Sequence, residues 1–148
     1  MQGGDISNEI FPRILIEFED LIAHKPEEEP RKWRLGTRAR RLRDEVYAWE
    51  INDLVVKVMW RMVFHFRHEI DVITLQGEDF AELLAERLDE EQVPANRVWA
   101  TEPRKLARRL AAMPYVAAIY TGSPERAAIY GQRGRLVTAD NVTLMGQF

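Results

Sequence analysis

The chain has no cysteine. Disulfides and thiolate metal sites are therefore excluded, and the absence fits a cytoplasmic protein. No apolar run is long enough to span a bilayer, and Met1 to Glu9 shows no secretory signal, so no membrane association is expected. There is no excess of positive charge. The 21 basic and 24 acidic residues give a formal charge of −3, which supplies no global attraction to nucleic acid. No internal repeat is visible. The three histidines, His24, His65 and His68, do not fall at a metal-ligand spacing on one helix face. What the chain does have is a globular composition. Its 148 residues are 46% hydrophobic and 30% charged, enough for one domain with its own core.

The segment Arg13-Ile14-Leu15-Ile16-Glu17-Phe18-Glu19-Asp20 is an apolar run that ends in three acids within four positions. Such a run before a loop predicts a buried strand. Alternation places Glu17 and Glu19 on one side of it and Phe18 on the other. Carboxylates at the C-terminal end of a strand sit where open α/β sheets bind ligands. The alternative is a strand that runs out into a solvated acidic turn.

Downstream, strand and helix patterns alternate. Asn52 to Arg67 predicts a long apolar helix whose polar residues Asp53, Lys57, Arg61 and His65 form one narrow stripe. So narrow a stripe calls for cover on the helix flanks. Three sources are open: the Arg13-to-Arg43 connection, the apolar tail Val142-Leu144-Met145-Phe148, or a second subunit. Ile70 to Leu75 predicts a strand, Glu78 to Glu91 an amphipathic helix, and Asn96 to Ala100 a short strand. Pro103 to Met113 predicts a helix, and Tyr115 to Tyr120 a strand. Ser123-Pro124-Glu125 has the form of an N-cap, a first-turn proline and an acid near the dipole's positive end. A helix to Tyr130 and a last strand over Arg135 to Ala139 complete the pattern. Such alternation implies an α/β fold, a parallel sheet with helices on both faces and Arg13 to Glu19 near its centre. Residues 13–139 are expected to form the single domain. Residues 1–12 and 140–148 would be tails, and residues 24–44 an exposed charged insertion. Lys25 to Pro30, with three glutamates between two prolines, reads as a loop. Arg34, Arg38, Arg40, Arg41 and Arg43 read as a solvated helix face rather than a nucleic-acid surface, since no aromatic platform alternates with them.

The order of these motifs resembles the haloacid dehalogenase (HAD) superfamily core. That family places an Asp-x-Asp pair after its first strand, a Ser/Thr after the second, a Lys near the start of a later helix, and acids after the fourth strand. The corresponding residues here are Glu17 and Glu19, then Thr74, then Lys105 with Arg104 as a rival, then Thr121 and Ser123 in Thr121-Gly122-Ser123-Pro124. Arg97-Val98-Trp99-Ala100-Thr101 and Tyr130-Gly131 are similar to small HAD-like proteins of actinobacteria and their phages. The resemblance implies a Rossmann-like core with five parallel strands and no large cap. In an active member it also implies Mg²⁺ held by the acids and a phosphoryl group carried by the first of them.

The differences from the family bear on chemistry. Glu for Asp adds a methylene and shifts a carboxylate by about 1 Å, a misplacement that can cost roughly 10²-fold in rate. Thr121 and Ser123 are poor ligands for a hard divalent cation. The expectation is a pseudoenzyme-like binding or assembly module with Glu17, Glu19, Thr74 and Lys105 as a vestigial site. Arg104, Thr121 and Ser123 would act as binding residues, and no cofactor is expected. Two alternatives stand. One is a Mg²⁺-dependent phosphohydrolase using Glu17 and Glu19. The other is a virion component. Expected partners are a second copy or another protein, with a phosphate-containing small molecule as a candidate ligand, and nucleic acid is not expected. The expected location is the cytoplasm, or the virion for a phage-encoded chain.

Overall fold

The computed structural model describes residues 12–27 and 37–148. The chain forms strands β1 (Arg13–Glu17), β2 (Ala23–His24) and β3 (Glu50–Ile51), with helix α1 (Arg38–Ala48) between the last two. Helix α2 (Asp53–Phe64), β4 (Glu69–Thr74), α3 (Glu78–Glu90) and β5 (Arg97–Ala100) follow. Then come α4 (Pro103–Arg109), β6 (Val116–Thr121), α5 (Pro124–Tyr130) and β7 (Gly134–Leu136). The main sheet has the order β5-β4-β1-β6-β7 and every pairing in it is parallel. The acidic strand β1 is central, paired with β4 on one side and β6 on the other, as the alternation predicts. The short β2 and β3 pair antiparallel in a separate ribbon.

Helices cover both faces because β1 is apolar on both. Ile14 and Ile16 point into the larger core with Val58, Met59 and Met62 of α2 and Phe80, Leu84 and Leu88 of α3. Leu15 points the other way, toward Leu106 of α4 and Tyr130 of α5. Strands buried on both faces read as continuous apolar runs, which is how β1 reads until Glu17. Phe18 continues the larger core beyond the strand end. Its ring lies 5.4 Å from Trp49 and 6.1 Å from Phe80 in tilted pairs, a geometry worth about 0.5–1.5 kcal/mol per pair beyond area burial.

Several boundaries differ from the sequence pattern. β1 ends at Glu17, not Glu19, because the next residues fold into a tight turn. Ala23 N–H bonds Phe18 O at 2.9 Å, and Asp20 takes a left-handed φ of 65°. The helix predicted to Arg67 ends at Phe64, and Arg67 reverses the chain at φ 54°. The Pro103 helix loses its α geometry at Arg109 and finishes as a 3₁₀ turn over Leu110–Ala112. β7 ends at Leu136, where a turn closed by Asn141 Oδ1 accepting from Thr138 N–H takes over. The predicted cap is present, with Ser123 Oγ accepting from Arg126 N–H, and Asn52 Oδ1 caps α2 in the same way by accepting from Leu54 and Val55 N–H.

The chain's own tail covers part of α2. Met145 is fully buried, and the Tyr120 hydroxyl both donates to Phe148 O (2.7 Å) and accepts from Gly146 N–H (2.9 Å). Phe64, at the outer pole of α2, remains 71% exposed and stacks on Trp60 with centroids 5.3 Å apart. Residues 1–11 and 28–36, which include most of the expected N-terminal tail, Glu28 and Glu29, Trp33 and Arg34, lie outside the described residues.

Candidate functional site

Two of the three acids at the end of β1, Glu17 and Glu19, are buried, whereas Asp20 is exposed. Glu17 is 0% exposed and Glu19 is 5% exposed. A buried carboxylate needs partners, and Glu17 has four contacts from the chain itself. Thr121 Oγ1, at the end of β6, donates to Oε1 at 2.5 Å. Arg126 Nε lies 2.9 Å from Oε1 and 3.1 Å from Oε2. The Tyr130 hydroxyl donates to Oε2. Arg126 and Tyr130 are four residues apart on α5, so both project from one helix face onto the strand end. Arg126 Nη2 also bonds Asp20 Oδ2 at 2.9 Å, and the guanidinium thus bridges two acids.

Glu19 turns the other way, toward β4. Its Oε2 accepts from Thr74 Oγ1 at 2.6 Å and its Oε1 accepts from Leu75 N–H at 3.1 Å. The second half of the turn is locked by Gly122. A Cβ there would lie 2.1 Å from Asp20 O, so only glycine lets the β6–α5 loop pass this close.

The electrostatics follow from burial and charge. Burial pushes the Glu19 carboxyl above its ordinary range, with the Glu17 charge acting in the same direction and the bonds from Thr74 and Leu75 only partly opposing. Burial, then the Glu17 charge, raise the Tyr130 hydroxyl, which remains a donor. For Arg126, burial acts to lower the value, but hydrogen bonds to Asp20 and Glu17 more than offset it and fix the guanidinium as a cation.

Among the residues singled out from sequence, Glu17 and Thr121 meet directly, and so do Glu19 and Thr74. Ser123 borders the network, with its N–H on Thr121 Oγ1 at 3.1 Å. Lys105 and Arg104 are exposed on α4 and make no hydrogen bond or ion pair among the described residues. The cation at the carboxylates is Arg126, which the sequence reading passed over together with Tyr130 and the pairing of Asp20. The usable signal was the i, i+4 pair Arg126 and Tyr130 directly behind the helix N-cap Ser123 that follows β6.

The magnesium ion implied by the family resemblance would need carboxylate oxygens without competing donors. Both Glu17 oxygens are taken by hydroxyls and by the Arg126 guanidinium, which leaves no free lone-pair face for an added cation. The residues do not fit the ion. No group of three or more His, Asp or Glu gathers to hold a metal among the described residues. Two grooves flank this end of the sheet. One, of about 360 Å³, runs between Asp20, Asn52 and Thr138. The other, of about 430 Å³, lies between Arg38, Arg41 and the start of α3.

Fold and site together define a Rossmann-like α/β protein whose central carboxylate, Glu17, is held by the chain's own donors. Comparison with protein-family models, with curated proteins and with solved structures gave no match. No helix among the described residues is long and apolar enough to cross a membrane.

Proposed function

We propose that this chain is a binding or assembly module on a Rossmann-like frame, in which the carboxylates serve as structure and not as catalyst. The saturation of Glu17 carries this reading. Phosphoryl transfer needs a carboxylate free to attack or to hold a metal that neutralises developing charge. Here the same oxygens accept bonds from Thr121, Tyr130 and Arg126, and the neighbouring positive charge belongs to the chain. The resemblance to the HAD core is consistent with a site that once handled phosphate and has since been closed by an arginine.

Assembly is favoured by what the fold leaves uncovered. The Trp60–Phe64 pair presents an aromatic face on α2 beyond the reach of the tail. Two measurements test the proposal. The purified protein, given p-nitrophenyl phosphate and Mg²⁺, is expected to show no turnover above that of Glu17→Gln. Light scattering at rising concentration is expected to show self-association that Phe64→Ser abolishes. Mg²⁺-dependent hydrolysis lost in Glu17→Gln would overturn the proposal in favour of a phosphohydrolase that uses the Glu17 and Glu19 pair.

A further inference from the structure

At the opposite end of the sheet, the N-terminal edges of β1, β4 and β5 frame a groove of about 440 Å³, within the roughly 300–1,000 Å³ usual for small-molecule sites. We propose that it binds a small aromatic anion of about nucleoside-monophosphate size. The groove is independent of the Glu17 network.

The first observation is Asp71. It sits inside a parallel strand, where both faces are normally apolar, and is only 3% exposed. A buried acid at such a position is retained only if it is well partnered. Arg13 Nη1 donates to its Oδ1 at 2.8 Å, and Trp99 Nε1 donates to its Oδ2 at 3.3 Å. The carboxylate thereby fixes both a guanidinium and an indole ring in the groove wall. A solvated strand end has no need of such an arrangement.

The second observation is charge. Three arginines line the groove, Arg13, Arg97 and Arg109, against two acids, Asp71 and Glu69. Arg13 is engaged by both acids, with Glu69 Oε2 at 2.6 Å. Arg97 and Arg109 are exposed and have no ion-pair partner among the described residues. The groove therefore carries a surplus positive charge on two side chains suited to forked recognition of a phosphate or carboxylate.

The third observation is the surface between the charges. Trp99 is held by Asp71, and Tyr115 is half-exposed on the same wall. Flat rings beside cations favour a ligand with its own ring, which can stack on them. A bare anion would leave these rings unused. An aliphatic cation would meet the wrong charge.

Calorimetric titration of the full chain with adenosine monophosphate, adenosine and inorganic phosphate tests this. The nucleotide is expected to saturate, with adenosine and phosphate each at least about ten-fold weaker. Arg97→Ala/Arg109→Ala should weaken nucleotide binding about ten-fold or more. Tyr115→Ala should weaken the nucleotide but leave phosphate unchanged. Lys105→Ala, outside the groove, should have no effect. Melting temperatures of all variants should match the parent, since the altered side chains are exposed. The proposal is overturned by no saturation up to about 10 mM. It is equally overturned by phosphate binding as tightly as the nucleotide, or by binding that the double arginine variant leaves unchanged.

Discussion

Burial of Glu19 gives the protein a pH dependence that can be read at one residue. A carboxyl group whose folded pKa lies above its unfolded value favours the fold while both states hold the proton. That contribution is lost as pH rises through the folded value. Burial raises Glu19, so it weighs against the fold above that point. Compared with Glu19→Gln, the wild type should lose stability as pH rises from the ordinary carboxylate range toward neutrality. Melting curves of both proteins across that range check it, and parallel curves would refute it. At Gly122 the expected effect is steric. Alanine would put a carbon 2.1 Å from Asp20 O, against backbone that cannot rotate away. Gly122→Ala should cost about 3 kcal/mol in urea unfolding, the upper end of the usual overpacking range. Part of this site was legible in the sequence. Glu17, Glu19, Thr74 and Thr121 lie at strand ends, and strand ends can be found from apolar runs. Arg126 lies in the first turn of α5 and Tyr130 in its last, where a charged and an aromatic side chain look like ordinary helix surface. Only the depth of the β6–α5 packing turns them toward Glu17.

At the scale of elements, periodicity and punctuation located every strand of the main sheet and helices α2 to α5, whereas α1 and the β2–β3 ribbon fall in and around a stretch read as an exposed charged insertion. The signals were strong because parallel strands buried on both faces are apolar throughout, as in Ile14-Leu15-Ile16. Boundaries were less legible. Asp20 and Arg67 take left-handed geometry in the turns that follow β1 and α2, and of the two residue types only aspartate is enriched there. The narrow polar stripe of α2 was a correct sign that further cover was needed. The tail supplies some of it, held at the Tyr120 hydroxyl by Phe148 O and Gly146 N–H. Tyr120→Phe keeps the ring and removes both bonds, so the sheet should persist while the tail loosens. Global stability should fall by about 1–2 kcal/mol. Hydrogen exchange at residues 143–148 should rise far more than exchange in β1, because local opening needs only the tail contacts to break. Equal acceleration in both segments would show that the tail is part of the cooperative core.

For the whole molecule, the Glu17 network is where the layers are joined. Glu17 belongs to the central strand, Thr121 to its neighbour β6, Arg126 and Tyr130 to α5, and Asp20 to the turn that leads into the β2–β3 ribbon. The larger core lies on one side of this junction and the smaller core on the other, so failure here would separate them. Arg126→Met removes the cation but leaves the Glu17 carboxylate buried, a change that typically costs about 3–5 kcal/mol. A domain of this size is stable by about 5–15 kcal/mol, so the single variant should be near the limit of folding at physiological temperature. Glu17→Gln in the Arg126→Met background removes the uncompensated charge and keeps an acceptor for Thr121 or Tyr130. The double variant should therefore be more stable than Arg126→Met alone, and the two effects should couple by more than about 1 kcal/mol in a double-mutant cycle. Denaturant unfolding of the four proteins measures this directly. Strict additivity would mean that Arg126 and Glu17 act separately, and the reading of the arginine as the built-in counter-charge of a closed carboxylate site would fail with it.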